Sequence, residues 1–192
     1  MSAAKRHLDL VAVPLYLTES DIAALLGPED AVEAVEACFR RMAAGEVDVA
    51  PRRRLRLRNG ALADMAASDL GIGLAGGKLY AASAEGAAFV VCLFDAEKAE
   101  LAAVIEADHL GRLRTGAASG VAARYLARDG ARTLGLIGCG HQAETQVACI
   151  RAAVPAIERV VGYCRTPERL ASFCKRVGAK AGESHRSALC KS

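Results

Sequence analysis

Apolar positions along the chain alternate between two periods, and the switches divide it into blocks. Thr18-Glu19-Ser20-Asp21 sets a capping hydroxyl three residues before an acid, which predicts a short helix ended by Gly27. Pro28-Glu29-Asp30 opens a second helix, with proline suited to the first turn and acids opposing the dipole. Val32, Val35, Phe39 and Met42 share one face of it, and Gly45 ends it. The period then drops to two. Strands are expected at 61–65, 77–81, 89–95 and 101–106, and the short spacings between them predict a mainly antiparallel sheet.

Helical spacing returns after Arg114-Thr115-Gly116-Ala117, with Thr115 read as the N-cap. Ala118, Val121, Ala122, Tyr125 and Leu126 are its expected apolar face, and Gly130 its end. The free amides of a helix start, with Arg114 beside them, would suit an anion. Next comes a short apolar strand, Thr133–Ile137, and at once Gly138-Cys139-Gly140-His141-Gln142-Ala143. A helical pattern (Ala143, Val147, Ile150, Val154) and a second β-branched run, Val160-Val161, follow. Strand, glycine turn, helix and strand make the βαβ unit that binds dinucleotides. Gly138 allows the tight turn, Gly140 admits a pyrophosphate, and Ala143 lets the helix lie close to the strand. One more helix, Pro167–Val177, is ended by Gly178.

The run Pro51-Arg52-Arg53-Arg54-Leu55-Arg56-Leu57-Arg58 first suggests a nucleic-acid patch. Strand alternation divides it otherwise: Arg52, Arg54, Arg56 and Arg58 fall on one face, and Arg53 joins Leu55 and Leu57 on the other. If the leucines face the core, Arg53 points inward and needs an anionic partner, either a structural carboxylate or a bound anion. Lys78 follows Gly76-Gly77, where little side-chain bulk would keep a ligand away.

Composition narrows the function classes. The chain of 192 residues is more than half apolar, so it can bury a real core, and its net charge of +3 does not imply nucleic acid. No apolar run approaches the roughly 20 residues of a membrane span. The start, with Lys5, Arg6, Asp9 and Pro14, lacks a signal-peptide core. Seven cysteines, odd in number and without a C-x-x-C pair, argue against a disulfide framework or zinc site and for the cytoplasm. Cys139 between two glycines is read as a small loop filler in preference to a redox thiol whose pKa a helix start lowers.

Five segments together resemble the ornithine cyclodeaminase/mu-crystallin family: Tyr16-Leu17-Thr18, Pro51-Arg52-Arg53, Gly77-Lys78, Leu113-Arg114-Thr115-Gly116-Ala117-Ala118-Ser119, and Leu136-Ile137-Gly138-Cys139-Gly140-His141-Gln142-Ala143. They occur in the family's order over nearly the whole chain. The resemblance implies an α/β protein: an N-terminal α+β domain for substrate and dimerisation (1–113), then a partial Rossmann domain, its first βαβ unit, for NAD(P) (114–192). It implies a small α-amino or α-imino acid as ligand. The chemistry would be ornithine cyclodeamination, alanine dehydrogenation or imino acid reduction, or else NADPH-dependent ligand binding without turnover, as in mu-crystallin.

By the same matching, Arg53, Lys78 and Arg114 would grip the substrate carboxylate. Arg114 and Thr115, with Gly138, Cys139, Gly140, His141, Gln142 and Ala143, would contact the cofactor, and Arg165 and Thr166 its adenosine ribose. After the second Rossmann strand, Cys164-Arg165-Thr166 supplies a cation and a hydroxyl where an acid would favour NAD, so NADP(H) is expected over NAD(H). The family continues beyond residue 192 with the rest of the sheet and a catalytic aspartate, so the chain is expected to be a truncated form, impaired alone or an inactive remnant.

Overall fold

The computed structural model describes residues 13–184. Residues 1–12 of the start read above for a leader (1–16), and Cys190, lie outside the described residues. The elements run β1 (Leu15–Leu17), α1 (Glu19–Leu25), α2 (Pro28–Ala43), β2 (Val47–Val49), β3 (Arg53–Leu57), β4 (Gly60–Asp69), β5 (Leu74–Ser83), β6 (Ala87–Asp95) and β7 (Leu101–Glu106). Then follow α3 (Asp108–Leu126), β8 (Thr133–Ile137), α4 (Ala143–Ala153), β9 (Arg159–Tyr163), α5 (Pro167–Val177) and β10 (Lys180–Ala181).

Two sheets result. The larger has strand order β1-β7-β6-β5-β4-β2, with β3 also on β4; it is antiparallel except for the parallel β1–β7 pair. The smaller, β10-β9-β8, is wholly parallel, with α4 crossing from β8 to β9. This is the mixed α/β architecture with a Rossmann-type βαβ unit expected from the patterning. The expected division at 113/114 falls inside α3, which is one continuous helix.

Local chemistry explains the helix ends. Thr18 and Asp21 form the expected capping box on α1. Gly27 serves as N-cap of α2, with Pro28 in the first turn, while Leu26 caps the C-terminus of α1. α3 corrects the sequence reading: it starts at Asp108, so Thr115 is not its N-cap and Arg114 lies in its second turn. Its first amides are taken by Glu19, whose carboxylate accepts from the N–H of Asp108 at 2.6 Å and of His109 at 2.8 Å. They are satisfied internally and offer nothing to a ligand.

α3 sits where the two sheets meet. Its buried face is Leu113, Gly116, Ala117, Gly120 and Val121, packed with Ala31 and Val32 of α2 and with Cys149 and Ala153 of α4. Tyr125 and Leu126, expected on that face, are exposed. Gly116 and Gly120 allow the close approach, because a Cβ at either would stand 2.4 or 2.7 Å from a backbone carbonyl oxygen of α4. A second core gathers Ala143, Val147, Val160 and Phe173 around the βαβ unit, and a third joins Ile22, Ala103 and Ile105.

The opposite face of the large sheet is open. Leu55, Leu57, Leu79 and Phe94 are exposed there. Arg53 does share a face with Leu55 and Leu57, but it is this open one. Arg53 is not inward: its side chain is 81% exposed and pairs with Asp64 directly across on β4, Nη2 to Oδ2 at 3.0 Å. The structural carboxylate is therefore its partner.

Candidate functional site

Lys78 projects from β5 between Met65 and Val91 on the neighbouring strands, toward the helical layer. Its Nζ lies 5.2 Å from the ring centroid of Tyr80 and 5.1 Å from that of Phe89, two rings that stack 5.4 Å apart. The ammonium also reaches α3, since a Cβ on Gly111 would stand 3.6 Å from it. Burial, and then the charges of Arg114 and Arg52, hold the Lys78 pKa below the usual lysine value; Asp108 opposes the shift. Among the charges that act on Lys78, the two arginines outweigh the one carboxylate.

That one carboxylate is already engaged. Asp108 Oδ1 lies 2.9 Å from Nε2 of His141, in the glycine turn. Arg112 Nε lies 3.3 Å from Asp108 Oδ2, within ion-pair reach but off the hydrogen-bond axis, and it is buried without a hydrogen-bond partner among the described residues. The start of α3 is in this way tied to the glycine turn through Asp108.

The turn itself has the geometry of a phosphate cradle. Gly138 adopts φ +99°, a left-handed conformation that disfavours any side chain, and its N–H donates to Tyr163 O at 2.8 Å. A Cβ on Gly138 or Gly140 would meet nothing within 4 Å, so the turn is open to an occupant. Ala143 is buried against the sheet, as the third small position of the motif requires. The N-cap of α4, Gln142, makes no side-chain capping bond. Glu144 in the first turn, which would repel an anion, is paired with Arg176 at 2.6 Å.

Two cavities flank the turn. One, of about 590 Å³, is lined by Gly140, His141, Arg112, Arg169 and Arg176, among others. The other, of about 440 Å³, lies at the end of β9 and is lined by Ile137, Gly138, Tyr163, Cys164, Arg165, Thr166 and Arg169, with no carboxylate. Cys139, read for a thiol with lowered pKa as one alternative, shows the reverse: burial, and then the neighbouring Cys164, push it up to about 11.

The structure therefore sets Lys78 in the field of Arg114 and Asp108, and Asp108 ties α3 to the glycine turn (Gly138, Cys139, Gly140 and His141) through His141. Arg165 and Thr166 line the adjoining cavity. Thr115 turns its hydroxyl into its own helix, donating to Gly111 O at 2.7 Å. Arg53 stands apart, on the opposite sheet face. Sequence reasoning missed Arg52, Asp108 and Arg112. The i,i+4 spacing of Asp108 and Arg112 was a signal, and so was strand alternation, which put Arg52 on the face opposite Arg53.

A profile of the ornithine cyclodeaminase/mu-crystallin family matches residues 12–188. The chain belongs to this family. It is 35% identical to iminosuccinate reductase of Paracoccus denitrificans over 165 residues, 81% of this chain and 51% of that protein. Among solved structures it resembles an archaeal alanine dehydrogenase dimer with bound NAD (TM-score 0.80, 31% identity, covering 88% of this chain and 55% of the other). It also resembles Δ1-pyrroline-2-carboxylate reductase of Thermococcus litoralis in complex with NADH and L-proline (TM-score 0.84, 28% identity, 93% and 59%). The chain spans about half the length of the relatives it matches. Among the described residues, no helix is long and apolar enough to cross a membrane.

Proposed function

We propose that this chain carries the carboxylate grip and the first half of the nicotinamide-dinucleotide site of an oxidoreductase or deaminase acting on a small α-amino or α-imino acid. The observation that carries the reading is the Lys78 ammonium, set over the Tyr80 and Phe89 rings and within the field of Arg114, on the side of the sheet where Asp108 of α3 is tied to the open glycine turn. Lysine supplies a point charge and arginine a planar fork, a combination suited to an α-carboxylate. Arg52 is the candidate for the third position expected of Arg53, because its charge acts on Lys78 whereas Arg53 is paired with Asp64.

The glycine turn fits a pyrophosphate, with the uncapped α4 start, the open space over Gly138 and Gly140, and Arg112 supplying donors and charge. The chemistry a nicotinamide would supply there is hydride exchange at the substrate α-carbon; Lys78 and Arg114 would hold the carboxylate, and the Tyr80–Phe89 stack would keep water from one side. NADP(H) is preferred over NAD(H), since Arg165, Thr166 and Arg169 line the adenosine-side cavity without an acid. A substrate part up to α3 and a cofactor part from β8 onward, in a homodimer covering the open sheet face, complete the reading; free thiols favour the cytoplasm.

Titration calorimetry with NADPH and NADH, then with L-proline, L-alanine and L-ornithine, tests this. NADPH is expected to bind more tightly, and Arg165→Ala to weaken NADPH by about tenfold or more while leaving NADH unchanged. Tighter NADH binding overturns the cofactor preference. Carboxylate binding that survives Lys78→Met overturns the grip.

A further inference from the structure

An apolar cavity of about 350 Å³ runs from Lys78 along the helical face of the large sheet. Two cross-strand rows make its floor, Lys78 with Met65 and Val91, then Gly76 with Ala67 and Leu93. Cys38 of α2 lines it from the helical side. In the other direction the next row is Tyr80 with Phe89, the two rings over which the ammonium sits. Successive rows on one face are two residues apart, roughly 7 Å along the strand. A carboxylate at the ammonium and a short carbon chain laid over Val91, Met65 and Leu93 can therefore belong to one small molecule.

The cavity offers no free partner to a second charge. Its charged lining residues, among those described, are Lys78 and Asp69. Asp69 is already held by the Arg41 guanidinium: Nε donates to Oδ1 at 2.8 Å and to Oδ2 at 2.9 Å, and Nη2 donates to Oδ2 at 2.8 Å. Ser68 also lines the cavity, but alternation turns its side chain to the opposite face, where it borders another cavity. An ammonium or carboxylate at the tip of a ligand side chain would lose its water here without gaining a partner. A hydrocarbon would bury apolar area at no such cost.

We propose that this cavity is the side-chain subsite of the ligand, and that it selects an α-amino or α-imino acid with a short hydrocarbon side chain over a diamino or dicarboxylic acid. The assignment rests on the Lys78 carboxylate grip proposed above. Of the chemistries left open there, it favours dehydrogenation or imino acid reduction over ornithine cyclodeamination.

L-Norleucine and L-ornithine are the deciding pair, because their side chains have equal length and end in a methyl and an ammonium. Calorimetry on the full chain is expected to show norleucine binding about tenfold or more tighter than ornithine or L-alanine. Cys38 reports the place of binding. It is the one cysteine of the tryptic peptide 7–40, so its alkylation by iodoacetamide is read directly by mass spectrometry. Norleucine should slow that alkylation and ornithine should not. Cys38→Phe, which fills the cavity, should bring norleucine down to the alanine affinity. Should that variant fail to fold, protection of Cys38 in the parent chain decides.

Ornithine binding as tightly as norleucine, or a norleucine advantage that leaves Cys38 reactivity unchanged, overturns the proposal. The grip fails separately. 1-Pentanol carries a hydrocarbon chain without the carboxylate. If it shields Cys38 while no carboxylate binds, or if norleucine binds Lys78→Met as well as the parent, the grip is wrong and the hydrocarbon site stands. If neither norleucine nor 1-pentanol shields Cys38, the subsite is wrong whatever holds the carboxylate.

Discussion

Replacing Gly116 with alanine sets two effects of opposite sign against each other. Alanine gains about 1 kcal/mol over glycine inside a helix. At this position, however, the new Cβ would stand 2.4 Å from the carbonyl oxygen of Thr145, 2.7 Å from its carbon and 3.0 Å from the Cys149 sulfur. The obstacle is backbone of a packed helix, which cannot swing aside as a flexible side chain can. Overpacking of this kind costs about 1–3 kcal/mol, and a contact so far inside van der Waals distance belongs at the upper end. The net expectation is a loss of about 1–2 kcal/mol, which for a chain of this size lowers the melting temperature by about 2–8 °C.

Gly111→Ala in the same helix is the control, because its Cβ would meet only Lys78 Nζ at 3.6 Å, an ordinary contact. It should hold or raise the melting temperature. Both variants are followed by circular dichroism on heating. A Gly116→Ala protein as stable as the parent would refute the claim that glycine is there for helix contact. The site should register the change too, since α3 carries Arg114 and α4 starts at the glycine turn.

Two pH effects follow from the ion pairs. The Glu36 carboxyl is lowered to about 2 from 4.5 by hydrogen bonds from Tyr125, Arg40 and Arg124, which tie α2 to α3. A depressed acid contributes stability that is present above its unfolded value and lost as the pH falls toward the folded one. Chemical denaturation between pH 5 and pH 2 should therefore show a loss of stability that Glu36→Gln removes; an identical pH profile in the variant would count against the pairing. At the site, the depressed Lys78 pKa makes its charge disappear at a lower pH than that of an ordinary lysine. Carboxylate affinity should fall on the alkaline side, and Lys78→Arg should flatten that fall; a fall unchanged in Lys78→Arg would assign it to another group.

The βαβ unit was legible because its requirements are local: a positive φ, an open turn and a small residue against the strand. α3 was misread for a related reason. Its buried stripe contains Gly116 and Gly120, which a count of apolar side chains passes over, so Tyr125 and Leu126 were put on the core in their place. Its true start was hidden as well, because the capping carboxylate comes from Glu19, far away in sequence. Alternation correctly divided the arginines of β3, but it says only which residues share a face. Which face the helices cover is decided by strand order, and that order turned Arg53 outward, while the charge of Arg52 is one that acts on Lys78.

The placement of the aromatic residues has an optical consequence. The chain has no tryptophan and four tyrosines, of which Tyr80 lies beneath the Lys78 ammonium and Tyr163 lines the cavity beside Arg165. Tyrosine emission is thus undimmed by transfer to indole, and each half of the site has its own reporter. A carboxylate at Lys78 should perturb the signal that Tyr80→Phe removes, and a dinucleotide the one that Tyr163→Phe removes, so the two occupancies can be followed separately without a label.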